Sequence, residues 1–522
     1  MLKKKGVIVA AFFAVILLAS TAAISSNRGT SKQTGDQMTV TGTPMDNFPD
    51  EQRVKFCETG DAKSNEYVDE FKIPTKCTQP LAITTDADGM VWFGETNTGK
   101  IAKFDPVSKQ FEEFDNPIWP QKGRSMFWGI AHNNGDIWYT DDAYNSIWKF
   151  STADKQYQRI VYPSKQDSLP HHLKIVGNQL IVNDFYGSKI SFFDLGKIGQ
   201  NSTYTSIPSP IPGSFTSSFD FDSQGNLWYT NWILRQGGAL VKFDYNKFVQ
   251  FASSADNSTM TQLSKAFDLP PTLGTPIGLS VDKNDNVWIA DTSSSSFFKF
   301  DPNAEKFTRY VTSDPNPSVY GNATGLIKIP TSGPYWTQIV DGKLVFNEQL
   351  SNAIGVLDIG TESLVEYSIP SQNPNWSDCN ERTECGIAQA FGFTVSGDKI
   401  WFTEWVENNI GVVDTSKQLP FSLDVSQTSL TLTKGQSAQI QMQLTPNKST
   451  MATLHYKTTS QFNDVLVQIP QTQVDLANSQ TQTIPVSIST SDFALPGVYK
   501  VLLTAKASDV SVSQFVTVTI TE

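Results

Sequence analysis

Seven short apolar segments of the chain each end in a side chain that could do chemistry. Four of these residues we predict as metal ligands (Glu95, Asp291, Glu348, Glu404), and three as ligand-binding residues (Asp141, Asp184, Asn231). If the side chains converge, their oxygen atoms suit Ca²⁺ or Mg²⁺, and crowded carboxylates raise the pKa of one of them enough for a general base. The alternative is that a residue repeated in every segment only builds the repeat.

Histidine and tryptophan supply the other candidates. Of the four histidines, His171 and His172 stand at the start of a predicted strand, where an imidazole can reach the same pocket and act with Glu404 in acid–base catalysis. The pair can also be two surface residues. Trp128 and Trp336 occupy equivalent positions in the repeat. They predict either a stacking platform for a ring-bearing or sugar ligand, or plugs between structural units.

The elements that position these side chains repeat along residues 66–415. A short apolar strand, a turn, a second strand with the acidic or amide end, and two further strands recur seven times, with turns such as Asn134-Gly135 supplying positive φ. Six fourth strands follow the pattern, and residues 67–73 can complete the last repeat. Interlocking four-stranded repeats of ~40–60 residues predict a seven-bladed β-propeller.

In such a fold, the starts of first strands and the ends of second strands share one face with the connections between repeats. Three of these connections are long, at residues 252–275, 312–334 and 371–389, whereas the hairpins of the opposite face are mostly short. We call the side with the long connections the loop-rich face. Long loops on a rigid scaffold gather binding residues, so we expect the ligand site there.

Residues 418–522 follow another pattern. About seven short strands with two-fold alternation span ~100 residues, which is the size of an immunoglobulin-like β-sandwich. This segment contains no cysteine, which excludes the disulfide-pinned kind of sandwich. The whole chain is therefore predicted to be all-β, with the sandwich as a spacer or adhesion module.

The N-terminus and the cysteines indicate export. Three lysines precede an uncharged apolar run, which predicts a cleaved signal peptide or a transmembrane anchor at residues 1–26, followed by a polar stalk at 27–65. Four cysteines predict two disulfides, most simply Cys57–Cys77 and Cys379–Cys385 by proximity in sequence. The protein is then extracytoplasmic, attached to the membrane through its N-terminal segment only, or secreted.

Charge and glycosylation signals agree with this location. The net charge of −12 argues against nucleic acid as a partner, because a phosphate backbone would be repelled. Five N-x-S/T sequons fit a glycosylated exterior. They begin at Asn201, Asn257, Asn322, Asn375 and Asn447.

The repeats resemble the virginiamycin B lyase (streptogramin lyase) family, within the wider group of NHL and SMP-30-like propellers. The resemblance is carried by Trp401-Phe402-Thr403-Glu404 and its relatives, and by the segment 409–414. It implies a monomeric seven-bladed propeller that opens a cyclic depsipeptide lactone by elimination, with Mg²⁺ as electrophile and a histidine as acid or base. A sugar-lactonase relative would instead place Glu95, Asn231 and Asp291 on one metal.

The chain departs from this family at the histidines. Pro170-His171-His172-Leu173 is the nearest match to one catalytic element, but it lacks the family's glycine. The second element, Glu-x-His, has no match, because residues 270–415 contain no histidine. We therefore expect a surface-tethered propeller that binds a small molecule, a glycan or a cell-surface protein. The alternative is a metal-dependent lyase or lactonase acting on cyclic esters.

Overall fold

A computed structural model describes residues 57–121, 123–162, 168–198, 204–211, 213–233, 236–251, 262–313, 331–376, 386–477 and 480–522. The predicted signal or anchor at 1–26 and most of the predicted stalk lie outside these residues. So do Cys379, Cys385 and the sequons at Asn201, Asn257 and Asn322, together with parts of the three long connections. No helix in the described ranges is both long and apolar enough to cross a membrane.

The strands up to residue 414 form seven antiparallel groups of four, which we number sheets 1 to 7. The first strands are β2 (Pro80–Thr85), β6 (Ile130–Asn133), β10 (Pro170–Val176), β14 (Phe219–Phe221), β18 (Pro276–Val281), β22 (Pro334–Val340) and β26 (Ala390–Ser396). The second strands are β3 (Val91–Glu95), β7 (Asp136–Asp141), β11 (Gln179–Asp184), β15 (Leu227–Ile233), β19 (Val287–Asp291), β23 (Lys343–Glu348) and β27 (Lys399–Glu404).

The outer half of each sheet completes the pattern. The third strands are β4 (Lys100–Asp105), β8 (Ser146–Ser151), β12 (Lys189–Asp194), β16 (Gly237–Phe243), β20 (Ser296–Asp301), β24 (Ala353–Asp358) and β28 (Asn409–Asp414). The fourth strands are β5 (Gln110–Phe114), β9 (Gln156–Val161), β13 (Tyr204–Pro208), β17 (Ser264–Asp268), β21 (Lys306–Val311), β25 (Ser363–Ser368) and, for sheet 7, β1 (Val68–Lys72). A helix α1 (Tyr245–Phe251) and a 3₁₀ turn (Pro374–Trp376) lie between strands.

The seven sheets stand in a closed ring. First strands contact one another from β2 to β6 to β10, and from β14 through β18 and β22 to β26, which returns to β2. Sheets 3 and 4 are joined by hydrogen bonds of Thr216, whose hydroxyl donates to Asp184 O at 3.0 Å and whose carbonyl accepts from Asn183 at 2.7 Å. Second strands such as Val91–Glu95 are buried at every residue, since each packs between two neighbouring sheets.

The hairpins explain the register. Asn134 and Gly135 have φ of 50° and 82°, and Asp341 and Gly342 have 50° and 76°, as a two-residue turn with two positive φ values requires. Five first strands also contain a register shift, for example between Pro170 and Leu173, which turns two successive residues toward the centre of the ring.

Residues 421–522 form the C-terminal unit. One of its sheets has the order β29 (Phe421–Val425), β31 (Ser437–Pro446), β35 (Gln482–Thr490), β33 (Val465–Gln468). Its other strands are β30 (Ser429–Thr433), β32 (Met451–Thr458), β34 (Gln473–Asp475), β36 (Gly497–Lys506) and β37 (Val510–Thr521). Buried and exposed residues alternate along β31, so one face packs on the core.

Sheet 6 continues into the C-terminal unit. Strand β25 pairs with the first half of β37, from Ser363 opposite Gln514 to Tyr367 opposite Val510. Strand β37 also pairs with β36 and, through its second half, with β30. One nine-stranded sheet therefore belongs to both parts of the protein.

Candidate functional site

In each second strand the acidic or amide residue and the residue before it point to opposite sides of the sheet. In four of the seven strands the residue before it bonds to a neighbouring sheet. Thr140 Oγ1 donates to His171 O of sheet 3 at 2.6 Å and accepts from Gly129 N at 2.9 Å. Thr403 Oγ1 donates in the same way to Leu81 O of sheet 1 at 2.7 Å. These threonines were not among the residues predicted from the sequence, although a threonine or asparagine precedes the terminal residue in five of the seven strands.

The terminal aspartates accept hydrogen bonds from the hairpin that follows them and from the segment just before the first strand of their sheet. Asp184 accepts from Leu169 N and Gly187 N, both at 2.8 Å. Asp291 accepts from Thr275 N at 2.9 Å and from the hydroxyls of the following serines, 293 and 294, at 2.7 and 2.8 Å. Their oxygens therefore hold the polypeptide turn together.

Asp141 is the third terminal aspartate. It is fully buried and accepts hydrogen bonds from Ser125 Oγ, from Trp148 Nε1 at 2.8 Å and from Tyr144 N at 3.2 Å. Burial raises its pKa to about 7, and it raises the pKa of the neighbouring Asp142 to about 6.

The terminal glutamates each face a second glutamate on the fourth strand of their own sheet. Burial and the hydrogen-bonded partner carboxyl together raise the pKa of Glu95 beside Glu113, of Glu348 beside Glu366 and of Glu404 beside Glu70. Each terminal glutamate also accepts a hydrogen bond from a residue close to it in sequence. The Thr98 and Ser351 hydroxyls donate at 2.6 Å to Glu95 and Glu348, and Asn409 Nδ2 donates at 2.7 Å to Glu404.

The structure therefore does not bring the predicted carboxylates together. Alternation along the strand directs each one into its own sheet, where it meets turn donors or a second glutamate. Within the described ranges, no three His, Cys, Asp or Glu side chains lie close enough to hold a metal ion. The four residues predicted as metal ligands lie in four different sheets, and the metal site stays a prediction.

The predicted histidines and tryptophans, in contrast, lie together at the centre of the ring. Ring centroids are 4.9 Å apart for Trp128 and His171, 5.1 Å for His171 and Trp336, and 5.2 Å for His172 and Trp336. Trp128 and Trp336 are each 9% exposed, so their faces are covered by protein. The four residues belong to first strands or the segments before them, and the two histidines and Trp336 lie at the register shifts of their strands.

Both histidines are neutral. His171 Nδ1 lies 3.1 Å from Ser217 O, and since a carbonyl only accepts, the hydrogen is assigned to Nδ1. Burial lowers the pKa of His171 to about 3, and burial together with the charge of Lys174 lowers the pKa of His172 well below its usual range.

Asn231 of sheet 4 is the exception among the seven terminal residues. Its side chain is completely buried, and neither Oδ1 nor Nδ2 has a hydrogen-bond partner. The hairpin beyond it is longer than the others, because pairing continues from Asn231 opposite Ala239 to Ile233 opposite Gly237. An unpaired buried amide costs about 1–3 kcal/mol. Each of the other six terminal side chains accepts at least one hydrogen bond.

A cavity of about 580 Å³ opens beside this hairpin on the loop-rich face. Its lining includes Gln236 and Gly237 of the hairpin, Asp268 at the end of β17, and Leu269 and Leu273 of the segment leading to β18. The size lies within the range of small-molecule sites. Sequence reasoning selected Asn231 but missed Gln236 and Asp268; the signal was the Gln-Gly-Gly run in a hairpin whose terminal residue is uncharged.

No protein-family profile and no curated protein matches the chain. Among solved structures it is similar to virginiamycin B lyase from Staphylococcus aureus, with 20% identity and a TM-score of 0.50 over 66% of this chain and 98% of that one. A catalytically inactive variant of that lyase with quinupristin gives the same four values. A streptogramin B lyase structure gives 20% identity and a TM-score of 0.49, covering 66% of this chain and 96% of that one.

The closed ring of four-stranded sheets and these neighbours define the class: the chain is a β-propeller protein. One solved propeller whose fold it resembles is virginiamycin B lyase. At 20% identity the similarity concerns the fold alone.

Proposed function

We propose that this protein is an exported, seven-bladed β-propeller that binds a small ligand on its loop-rich face. The seven sheets are its blades, and the C-terminal unit is an immunoglobulin-like sandwich attached to blade 6. The carrying observation is the cavity of about 580 Å³ between Gln236, Asp268 and Leu273, at the end of sheet 4. The segment between β17 and β18, which connects sheets 4 and 5, forms part of this cavity, and connections between the sheets of a rigid scaffold are where binding residues gather.

The polar groups around the cavity favour binding over acid–base chemistry. The carboxylates of the other six sheets are engaged in their own sheets, and the lowered pKa of His171, to about 3, keeps that imidazole neutral near neutral pH, so it is not a general acid. Gln236 contributes an amide to the lining, which can form hydrogen bonds but does not titrate. A ligand is therefore held and released without a chemical step.

Export is part of this proposal. The Cys57–Cys77 disulfide, which the structure contains as the sequence predicts, fits an oxidising compartment. The basic and apolar N-terminal run and the sequons support an extracytoplasmic location, with the membrane reached through that run only. We propose a monomer, in which the C-terminal unit separates the propeller from other surface molecules.

Saturation-transfer NMR with a library of polar fragments tests the binding function. We expect fragments that bind the full chain and are lost in Gln236→Trp, because the indole fills the mouth of the cavity. Gln236 is exposed, and so is Gln439 on the C-terminal unit, which makes Gln439→Trp the matched control. If the same fragments bind Gln236→Trp, or if no fragment binds the wild-type protein, the cavity is not the binding site.

A lyase is the second candidate, because His171, His172, Trp128 and Trp336 converge at the centre of a fold that resembles virginiamycin B lyase. Incubation with quinupristin and Mg²⁺, followed by liquid chromatography and mass spectrometry, decides between the two. An elimination opens the lactone without adding water, so the product elutes differently at unchanged mass. Turnover that disappears in His171→Ala would replace the binding proposal with the lyase.

A further inference from the structure

The cavity at the end of sheet 4 has one charged residue in its lining. Asp268 is the only ionisable side chain among the described residues that line it, and it is exposed. The rest of the lining consists of glycines, Gln236, Pro271 and two leucines. A ligand in this cavity therefore meets a negative charge, and no described basic side chain of the lining offsets it.

The lysines of the two outer strands of sheet 4 are engaged elsewhere. Lys265 of β17 pairs with Glu305 at 2.5 Å, and Lys242 of β16 lies 3.4 Å from Asp222. Three residues of an extended strand span about 10 Å, which separates Lys265 from Asp268. Within the described ranges, the Asp268 carboxylate has no ion-pair or hydrogen-bond partner.

The apolar part of the lining is held in place by the fold. Leu269 and Leu273 are both buried and belong to one hydrophobic cluster of the ring. Leu273 N donates to Pro270 O and closes the turn between the two leucines, and Leu269 N donates to Gly238 O of the hairpin, both at 2.9 Å. A ligand therefore meets a preformed apolar surface and does not have to order it.

The lining also indicates which kind of cation it suits. None of the described residues that line the cavity is aromatic, whereas a quaternary ammonium is usually held against the faces of aromatic rings. A primary ammonium instead donates hydrogen bonds to a carboxylate, and the exposed amide oxygen of Gln236 can accept another. Gly237 has a φ of 86°, and a Cβ added there would have no other atom within 4 Å, so the approach beside it is open.

We propose that this cavity binds a small aliphatic primary amine, with the ammonium group at Asp268 and the hydrocarbon body against Leu269 and Leu273. The inference rests on the proposed binding function and names its ligand class. The net charge of −12 on the chain adds to the local carboxylate in favouring a cation over an anion. A primary ammonium uses the carboxylate and the hydrocarbon uses the leucines, so both parts of the ligand contribute to its affinity.

Saturation-transfer NMR titration of the full chain with four probes tests this ligand class. The probes are n-butylammonium, butanoate, methylammonium and tetramethylammonium, which differ in charge, in hydrocarbon body and in N–H groups. We expect n-butylammonium to bind at least fivefold more tightly than each of the other three. Equal affinity for butanoate would overturn the ammonium site, equal affinity for methylammonium the contact with the leucines, and equal affinity for tetramethylammonium the need for N–H groups.

Two substitutions in the lining change its charge in opposite directions. Asp268→Asn removes the carboxylate and is expected to weaken n-butylammonium binding at least fivefold. Gln236→Glu adds a second carboxylate and is expected to strengthen it at least twofold, which is a gain that misfolding cannot produce. Asp424→Asn, at an exposed aspartate of the C-terminal unit, is the matched control for net charge and should leave the affinity unchanged. Equal losses in Asp268→Asn and Asp424→Asn would overturn the assignment of Asp268.

The outcomes also distinguish this inference from the proposed function. If n-butylammonium does not bind, but other fragments bind the wild-type protein and are lost in Gln236→Trp, the cavity is a ligand site and the amine class is wrong. If neither the amine nor any fragment binds, both proposals fail.

Discussion

Lys500 of the C-terminal unit contacts both carboxylate oxygens of Glu362 in the hairpin between β24 and β25, at 2.7 and 2.5 Å. Tyr310 of sheet 5 donates to the same carboxylate at 2.6 Å, and Lys500 lies 4.9 Å from the centroid of its ring. Gln514 Nε2 donates to Thr361 O at 2.8 Å beside them. The C-terminal unit is thus held to two sheets of the ring by side chains as well as by the β25–β37 ladder.

Lys500→Met should loosen this junction. The lysine is 7% exposed, so its loss leaves the Glu362 carboxylate partly desolvated, and we expect the free energy of unfolding to fall by about 2 kcal/mol. Calorimetry should show the C-terminal unit unfolding at a lower temperature than the ring. Lys434→Met, at an exposed lysine of the same unit, is the control and should change neither transition. A single transition at the wild-type temperature would contradict the role of the pair.

Asp141 should make the protein more stable in acid. Burial raises its pKa to about 7, against about 3.9 in an unfolded chain, so the folded state binds the proton more tightly. Its contribution to stability is complete below about pH 4 and is lost as the pH rises toward 7. Urea unfolding of Asp141→Asn between pH 4 and 7 should give a shallower pH dependence, by at most about 1.4 kcal/mol per pH unit. An unchanged slope relative to wild type would refute this.

Glu404→Gln should stabilise the protein above neutral pH. Glu404 and Glu70 face each other across sheet 7, and the raised pKa of Glu404 favours its protonated form, which can donate a hydrogen bond to Glu70. In Glu404→Gln the amide NH₂ can donate that hydrogen bond at any pH. Urea unfolding at pH 8 should show an increase of about 1 kcal/mol. Glu404→Ala is the contrasting variant and should not show the gain. Calorimetric titration of Mg²⁺ should give the same result for wild type and Glu404→Gln, since Glu404 accepts a hydrogen bond from Asn409 within sheet 7. Heat of binding that is lost only in the variant would support the predicted metal site instead.

Removal of the Cys57–Cys77 disulfide should destabilise the closure of the ring. The residues between the two cysteines include β1, which completes sheet 7, while Cys77 leads directly into sheet 1. Opening this loop is expected to cost about 3 kcal/mol in the double Cys→Ser variant. Hydrogen exchange should then rise first in β1, and the opposite sheets 3 and 4 serve as the internal reference. Uniform exchange across all sheets would show that the disulfide does not protect β1 in particular.

The sequence predicted the strand repeats because local signals agree. Turns such as Asn134-Gly135, apolar second strands and the terminal acidic residue all recur with the same spacing, and the structure forms antiparallel groups of four strands at these positions. The resemblance to virginiamycin B lyase is confirmed as a similarity of fold. The junction between β25 and β37 was not predicted, since no local pattern in either strand specifies a partner 150 residues away.

The site was harder to predict because a shift of one residue changes the face of a strand. Thr140 and Asp141 are adjacent, yet one bridges to sheet 3 and the other stays in sheet 2. A recurring carboxylate looks the same in sequence whether it faces the centre of the ring or a turn. Asn231 has no side-chain partner and lies opposite Ala239, a pairing that only the register reveals.

The Cys57–Cys77 disulfide also determines which residues bear a mechanical force applied to the N-terminal end of the chain. A pull on the chain ahead of Cys57 reaches Cys77 directly through the sulfur–sulfur bond, so residues 58–76 carry no load. Strand β1, which holds the ring closed through its ladder with β28, lies entirely within that unloaded segment. A molecule tethered at its N-terminus can therefore be dragged by flow or by a bound partner without its closing strand being peeled away.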